Sequence, residues 1–176
     1  MRGDSPSHYG GITRFLHWFM GLLVVLQFLK LGDRIKDGEH WVGQTIVPWH
    51  VSIGASIFVL AAIRLWWAMR QRPYRPQPEA FPVMVKMGHL LLYACMFLMP
   101  VTGIAALLGG GYGLTLFGVD VITKTEVEIP WLGAIGNLHS PIAWMFVALV
   151  LGHIAAALFH HFVRRDQTLK RMLGQY

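Results

Sequence analysis

The sequence contains a single cysteine and few charged residues. Cys95 has no partner for an intramolecular disulfide, and we expect it to be a small buried hydrophobic residue inside an apolar run. Charged residues make up only 14% of the chain, whereas hydrophobic residues make up 55%. Soluble domains do not have this composition, so the sequence predicts a membrane protein.

Two local signals are also missing. No small-residue cleavage site follows the first apolar run, which we therefore interpret as a retained helix and not a signal peptide. The glycine-rich stretch that begins at Gly109 lacks the Gly-Lys-Ser/Thr ending of a phosphate-binding loop. We expect residues 109–136 to form a flexible outer loop or lid.

Four apolar segments cover residues 15–31, 47–69, 83–108 and 137–163. A helix needs about 20 apolar residues to cross a bilayer, and these segments are too long to be barrel strands. The predicted fold is therefore an all-α membrane protein, with residues 1–176 forming one domain built as a four-transmembrane-helix bundle in contact with lipid.

The charged residues indicate how these helices are oriented. Basic residues concentrate in the N-terminus, the second connection and the C-terminal tail, whereas most acidic residues lie in the first and third connections. The positive-inside rule then places both termini in the cytoplasm. The net charge of +6 thus reflects topology, and we predict no nucleic-acid partner. The sequence leaves a homodimer open.

The fourth segment carries histidines at membrane depth, where ionisable side chains usually have a function. His139 and His153 are separated by fourteen residues, which is nearly four helical turns and about 21 Å of rise. They therefore share one face of the helix, near opposite ends of the hydrocarbon layer. This spacing predicts two cofactors, one above the other.

Two histidines in the first half of the chain match this pair in depth. His17 in the first segment is expected at the level of His153, and His50 in the second at the level of His139. Glycine follows each of these two by four residues, at Gly21 and Gly54, and would let a flat macrocycle lie against the helix.

Bis-histidine haem fits this pattern best, since imidazole binds iron well and a haem spans the gap between facing helices. The absence of a C-x-x-C-H motif implies that the haem is non-covalent. Two alternatives are histidines that only pack, and a transporter whose histidines relay protons without haem. The sequence shows no internal repeat and few intramembrane acids, which disfavours the transporter.

Other polar residues near the predicted layers are further candidates. Arg64 lies deep enough to pair with haem propionates. His89 could be a structural hydrogen-bonding residue, a contact of a propionate or quinone, or an alternative axial ligand. His160 and His161 could either reach the membrane surface without a function or deliver protons to a quinone. His40 is expected to be exposed or to form a contact at the outer mouth.

These residues occur in a recognisable order. The stretches in question are Phe15-Leu16-His17-Trp18, Trp49-His50 with Gly54, Ile63-Arg64-Leu65-Trp66, Gly88-His89-Leu90 with Tyr93, Pro100 and Gly103, then His139, Gly152-His153 and His160-His161. Together they cover the whole chain and resemble the bacterial cytochrome b561 family.

The resemblance implies a four-helix cytochrome with two b haems that exchanges electrons with ubiquinone. His17 and His153 would hold the cytoplasmic-side haem, and His50 and His139 the outer one. Members of similar length act alone as superoxide:ubiquinone oxidoreductases, whereas other relatives are membrane subunits of hydrogenases or dehydrogenases.

For this chain we expect an electron to pass from an outer donor such as superoxide to ubiquinone. His160, His161 and His89 lie nearest the inner haem and would supply protons. Three basic residues at the outer mouth could attract an anionic donor, although nearby acids offset them. The basic residues are Lys30, Arg34 and Lys36, and the acids are Asp33, Asp37 and Glu39.

Overall fold

Each of the four apolar segments forms a helix in the structure, a computed structural model that describes residues 3–31, 44–78 and 80–175. The four helices are α1 (Gly11–Phe28), α2 (His50–Gln71), α3 (Pro82–Gly109) and α5 (His139–Phe159). A 3-10 turn (Val47–Trp49) leads into α2 and a π-helical turn (His160–Arg164) continues α5. The prediction of four membrane-spanning helices is confirmed.

The helix ends follow local chemistry. Pro48 and Pro82 lie in the first turns of their helices, where a proline needs no intrahelical hydrogen bond. Pro100 lies inside α3, which is continuous from Pro82 to Gly109. The expectations for six residues of the first connection lie outside the described residues: His40, Arg34, Lys36, Asp33, Asp37 and Glu39.

The connection between α3 and α5 is folded, so the expectation of a flexible loop is wrong. It contains an antiparallel hairpin of β1 (Leu114–Leu116) and β2 (Val119–Ile122), followed by a short helix α4 (Pro130–Gly136). Phe117 and Gly118 both have positive φ, at 52° and 81°. Two adjacent positive φ values are the signature of the tight turn that best matches the twist of a hairpin.

The bundle packs in chain order, with α1 on α2, α2 on α3, and α3 on both α4 and α5. Its buried core lies at mid-height, where Phe146 of α5 meets Phe28 of α1 with ring centroids 5.4 Å apart. Cys95 belongs to this core and is 1% exposed, as predicted. The other buried members are Met20, Val24, Ile57, Ala61 and Met96.

The outward faces of the helices are apolar. Leu22, Val59, Leu90 and Leu151 are between 56% and 61% exposed, one residue from each long helix. Large apolar side chains exposed along all four spans need an apolar solvent, which only a bilayer provides. The chain is therefore a multi-pass integral membrane protein.

Both chain ends contact the same end of the bundle. The Trp18 indole donates a hydrogen bond to the carbonyl of Met172, in the short helix α6 (Thr168–Leu173), over 3.2 Å. Asp4 accepts one from the Thr13 hydroxyl over 2.7 Å, and the Trp67 indole donates to the same hydroxyl over 2.9 Å. The two termini thus lie on one side of the membrane.

Candidate cofactor site

Four histidines meet in two pairs inside the bundle. The ring centroids of His17 and His153 are 6.1 Å apart with an interplanar angle of 60°. Those of His50 and His139 are also 6.1 Å apart, at 80°. The structure therefore joins α1 to α5 through one pair and α2 to α5 through the other, in the combinations that depth alone predicts.

The two pairs lie at different heights of α5. Phe146 is seven residues from His139 and seven from His153, so about two turns separate each histidine from the mid-height core. The buried core residues fill the space between the pairs. Two separate sites result, with an apolar layer between them.

The His50/His139 pair has a defined hydrogen-bond environment. His139 Nδ1 lies 3.0 Å from the carbonyl oxygen of Met99 and 3.2 Å from the Thr102 hydroxyl. A carbonyl only accepts, so Nδ1 carries the ring proton and leaves the Nε2 lone pair available to a metal ion, which is how metal-binding histidines are usually held. Among the residues that the structure describes, none forms a hydrogen bond with the buried Nδ1 atom of His50.

A cavity of about 270 Å³ adjoins this pair. Its lining includes Gly54 of α2 and Gly103 of α3. A Cβ atom added at Gly103 would lie 3.1 Å from Cε1 of His139, so glycine leaves room for the imidazole. At Gly54 the corresponding distance is 3.1 Å to Nε2 of Gln27, whose amide donates to the carbonyl of His50.

The His17/His153 pair has a third imidazole beside it. The His89 ring centroid is 5.5 Å from that of His153, and His89 Nδ1 donates to the carbonyl of Val85 over 2.7 Å. At Gly21, one turn after His17, no atom of the described residues lies within 4 Å of an added Cβ. The three interpretations of His89 keep their geometric support, since it is both hydrogen-bonded and adjacent to the pair.

Arg64 reaches the same pair from α2. Its Nη2 atom donates to His17 Nδ1 over 2.9 Å, and its guanidinium carbon lies 5.7 Å from the centre of the Tyr93 ring. Since a guanidinium only donates, His17 Nδ1 accepts and the ring proton lies on Nε2. Metal binding through Nε2 therefore requires Arg64 to leave His17 for an acceptor such as a carboxylate.

Both pairs fit a metal ion held between two rings. A metal–imidazole bond is about 2.0 Å and each nitrogen lies roughly 1.1 Å from its ring centre, so two rings that share one ion have centroids about 6 Å apart. Within residues 3–31, 44–78 and 80–175, no group of three or more potential metal ligands is present. A metal ion at either pair would need its remaining ligands from a bound group such as a macrocycle.

His160 and His161, the two histidines that follow α5, have different surroundings. His160 Nδ1 is hydrogen-bonded to the Asp166 carboxylate, and the side chains are only 13% and 9% exposed. Burial raises the pKa of Asp166, but hydrogen bonds from His160 and Thr168 outweigh it and lower the pKa to about 2. The His161 ring packs on Phe162 with centroids 4.8 Å apart, and its buried Nδ1 atom has no hydrogen-bond partner within the described part of the chain.

Several residues at the site escape prediction from the sequence. Thr102, Met99 and Gln27 hold the outer pair, and Asp166 holds His160. Thr102 is a hydroxyl inside an apolar span, a signal that could have been noticed, because buried polar groups in membranes need a partner. The carbonyl of Met99 gives no signal in the side-chain sequence.

Comparison with known proteins identifies the family of the chain. Residues 8–175 match the sequence profile of prokaryotic cytochrome b561. The chain belongs to the cytochrome b561 family.

Three relatives align over nearly the whole chain. Cytochrome b561 homolog 2 of Escherichia coli (strain K12) is 31% identical, over 98% of this chain and 94% of its own length. Cytochrome b561 homolog 1 of the same organism is 27% identical, over 90% and 93%. A Yersinia pestis protein named probable superoxide oxidase CybB is 28% identical, over 90% and 91%.

Family membership gives the two histidine pairs a chemical context. Cytochromes of this family bind b-type haem, a macrocycle whose iron takes axial imidazole ligands. The chain is therefore a haem-binding membrane protein that transfers electrons, and an oxidoreductase at that level.

Proposed function

We propose that the protein carries electrons across the bacterial inner membrane through two non-covalent b haems, from superoxide on the outer side to ubiquinone. The proposal rests on the two facing imidazole pairs, each 6.1 Å between ring centroids. Basic residues near the chain ends support cytoplasmic termini. The His50/His139 pair then lies toward the outside and the His17/His153 pair toward the cytoplasm.

The chain's residues bind and orient each haem. His17 with His153, and His50 with His139, would hold one haem each, and a bound haem would supply one-electron chemistry at each site. Met99 and Thr102 keep the ring of His139 in the tautomer that binds metal. Arg64 would leave His17 and pair with a propionate carboxylate.

The outer residues support an anionic donor. Lys30 lines the cavity beside His50, and a cation at the mouth of a site raises the encounter rate of anions. The Yersinia relative carries the name of a superoxide oxidase. Two superoxide anions would each lose one electron and leave as O₂, and ubiquinone would take the two electrons with two protons to become ubiquinol.

The inner residues support proton delivery. His160 is fixed through Nδ1 by the Asp166 carboxylate, which remains ionised because the pKa of Asp166 is about 2. This hydrogen bond holds the ring of His160 in one orientation. His160 would donate protons to reduced quinone, with His161 and His89 as the nearest other proton carriers.

The two halves of this reaction can be tested separately in the purified protein. We expect superoxide from an enzymatic source to reduce the haem, and added ubiquinone to reoxidise it. Lys30→Gln should slow the first step several-fold, in a salt-dependent way. His160→Gln should slow only the second, because a proton donor acts at the quinone.

Lys124→Gln is the matched control for Lys30. Lys124 is a basic residue of the third connection that pairs with Glu126 at 3.2 Å, so its removal should leave both rates unchanged. Haem that stays oxidised in the presence of superoxide, with its spectrum intact, would rule out superoxide as the donor.

A tight contact behind the outer pair gives a structural prediction. A Cβ at Gly136 would lie 2.4 Å from the Cα atom of Ala106, so Gly136→Ala must push α4 away from α3. Gly136 precedes His139 by three residues, and that shift moves the histidine. We expect Gly136→Ala to lose about half of the bound haem in a pyridine haemochrome assay, and to lower the melting temperature.

The control is Gly152→Ala in α5, where an added Cβ meets nothing within 4 Å. Alanine favours an exposed helical position over glycine by up to about 1 kcal/mol, so this variant should keep its haem and its stability. Full haem content in Gly136→Ala would show that the contact does not position His139.

A further inference from the structure

The hairpin between α3 and α4 has two chemically different faces. On β2, Val119 and Asp120 point to opposite sides, because side chains alternate along a strand. Val121 follows at a register shift, between the pairs Thr115–Asp120 and Leu114–Ile122. Val119 pairs with Leu116, and the Thr115 hydroxyl donates to the Asp120 carboxylate across the strands over 2.6 Å. One face is thus apolar and the other polar.

Among the described residues, the bundle covers the apolar face only at Leu114 and leaves the turn and β2 exposed. Val119 is 65% exposed and Val121 57%, and Phe117 at the turn is 60% exposed. The hairpin is attached through its other strand, in which Leu114 is buried at 7%. Three large apolar side chains that stand together on a surface normally mark a contact with another phase or molecule.

The contacts of the hairpin turn with α2 indicate that the apolar side chains face lipid. The amide of Phe117 donates to the Ser52 hydroxyl over 2.9 Å, and its ring lies 6.5 Å from that of Trp49. The second membrane span begins at Val47, so Ser52 lies about 8 Å inside its end. The turn of the hairpin therefore lies level with a part of α2 that length and composition assign to the membrane span.

Aromatic side chains at this level favour the lipid–water boundary. Trp49 at the start of α2 and Trp131 at the start of α4 are 52% and 65% exposed. Exposed tryptophans of this kind anchor proteins at the headgroup level. Trp49 lies beside Phe117 at the turn of the hairpin, so the exposed apolar side chains of the hairpin lie at the level of this anchor.

We propose that the hairpin is an amphipathic element that lies on the outer leaflet, with Phe117, Val119 and Val121 inserted among the lipids. Asp120 and Thr115 face the aqueous side. The connection thereby fixes the height of α4, and with it the start of α5 at His139. This proposal does not depend on the electron donor or acceptor.

Site-directed spin labelling of the haem-loaded, full-length protein tests the arrangement. Cysteine is placed singly at Phe117, Val119 and Val121, and nitroxide-labelled chains are inserted into nanodiscs of phosphatidylcholine and phosphatidylglycerol. The wild-type chain, in which Cys95 is buried, gives the background of labelling. Collisions with oxygen, which dissolves in lipid, are compared with collisions with a water-soluble nickel chelate.

We expect oxygen collisions to dominate at these three positions. Asp120→Cys and Lys124→Cys are the controls, and nickel collisions should dominate there because both side chains face water. The haem spectrum of each labelled chain confirms that it is folded.

Two outcomes would overturn the proposal. Nickel-dominated collisions at all five positions would place the hairpin in water. Low collision rates with both reagents at Phe117, Val119 and Val121 would mean that protein covers the face, either a second copy of the chain or a soluble subunit.

Discussion

Replacing His17 with alanine is expected to remove one of two haems and to leave the other, and His50→Ala should remove the other one. Each histidine faces a different partner, and the two pairs are separated by the apolar core. The loss of one axial ligand at one layer therefore leaves the second layer intact. Pyridine haemochrome analysis should find half of the wild-type haem in each variant, and the double variant should contain almost none.

His89→Ala tests whether His89, and not His17, is the ligand that pairs with His153. The His89 ring is 5.5 Å from that of His153, closer than the ring of His17 at 6.1 Å, so distance alone does not choose between them. We expect His89→Ala to keep both haems, because the depth pairing assigns the ligand role to His17. If His89→Ala loses one haem and His17→Ala loses none, the axial ligand is His89.

Removing the charge of Arg64 is expected to lower the midpoint potential of the haem at the His17/His153 pair by about 59 mV, a tenfold change in its reduction equilibrium. Reduction removes one positive charge from the iron, so a nearby cation favours the reduced state. A charge just beyond the ligand ring contributes on the order of 1–2 kcal/mol at an effective dielectric constant of about 20. Potentiometric titration of Arg64→Gln, followed in the visible spectrum, measures the shift.

Two variants separate the effect of the Arg64 charge on the midpoint potential from the effect of changing its side chain. Arg64→Lys keeps the charge and should recover most of the potential. Arg70→Gln removes a cation that is exposed at the end of α2, over the Trp66 ring at 5.1 Å, and should leave both potentials unchanged. The interpretation fails if Arg64→Gln leaves the potentials as in the wild type, or moves only the haem that is lost in His50→Ala.

The arrangement of the main elements could be predicted because it depends on periodicity. Four apolar runs of sufficient length predict four spans, and the fourteen-residue spacing of His139 and His153 places them on one face of α5. Depth then pairs them with His50 and His17, since both partners lie near the ends of their own helices. The helix ends differ from the predicted ones by a few residues, because local caps and turns determine where each helix ends.

The rest of the site depends on tertiary contacts that a single sequence does not encode locally. Thr102 and Gln27 are informative only once α3 and α1 are known to face α5 and α2. Asp166 meets His160 because the chain reverses at Arg165, whose φ is 56°, a conformation that few non-glycine residues adopt. The sequence does not predict the hairpin, because the glycines at the start of the connection suggest mobility. The tight turn lies further along, at Phe117-Gly118.

Under the proposed function, the apolar layer between the histidine pairs would make the protein sensitive to membrane voltage. Its buried residues carry no charge, so an electron that passes between the pairs has no compensating charge movement within this core. A separation of about 21 Å is about two thirds of a hydrocarbon layer of about 30 Å. Since a full crossing at 100 mV corresponds to about 2.3 kcal/mol per charge, each inward electron works against roughly 1.5 kcal/mol when the cell interior is negative at that voltage. Electron flow toward the cytoplasm would therefore slow as the membrane becomes energised.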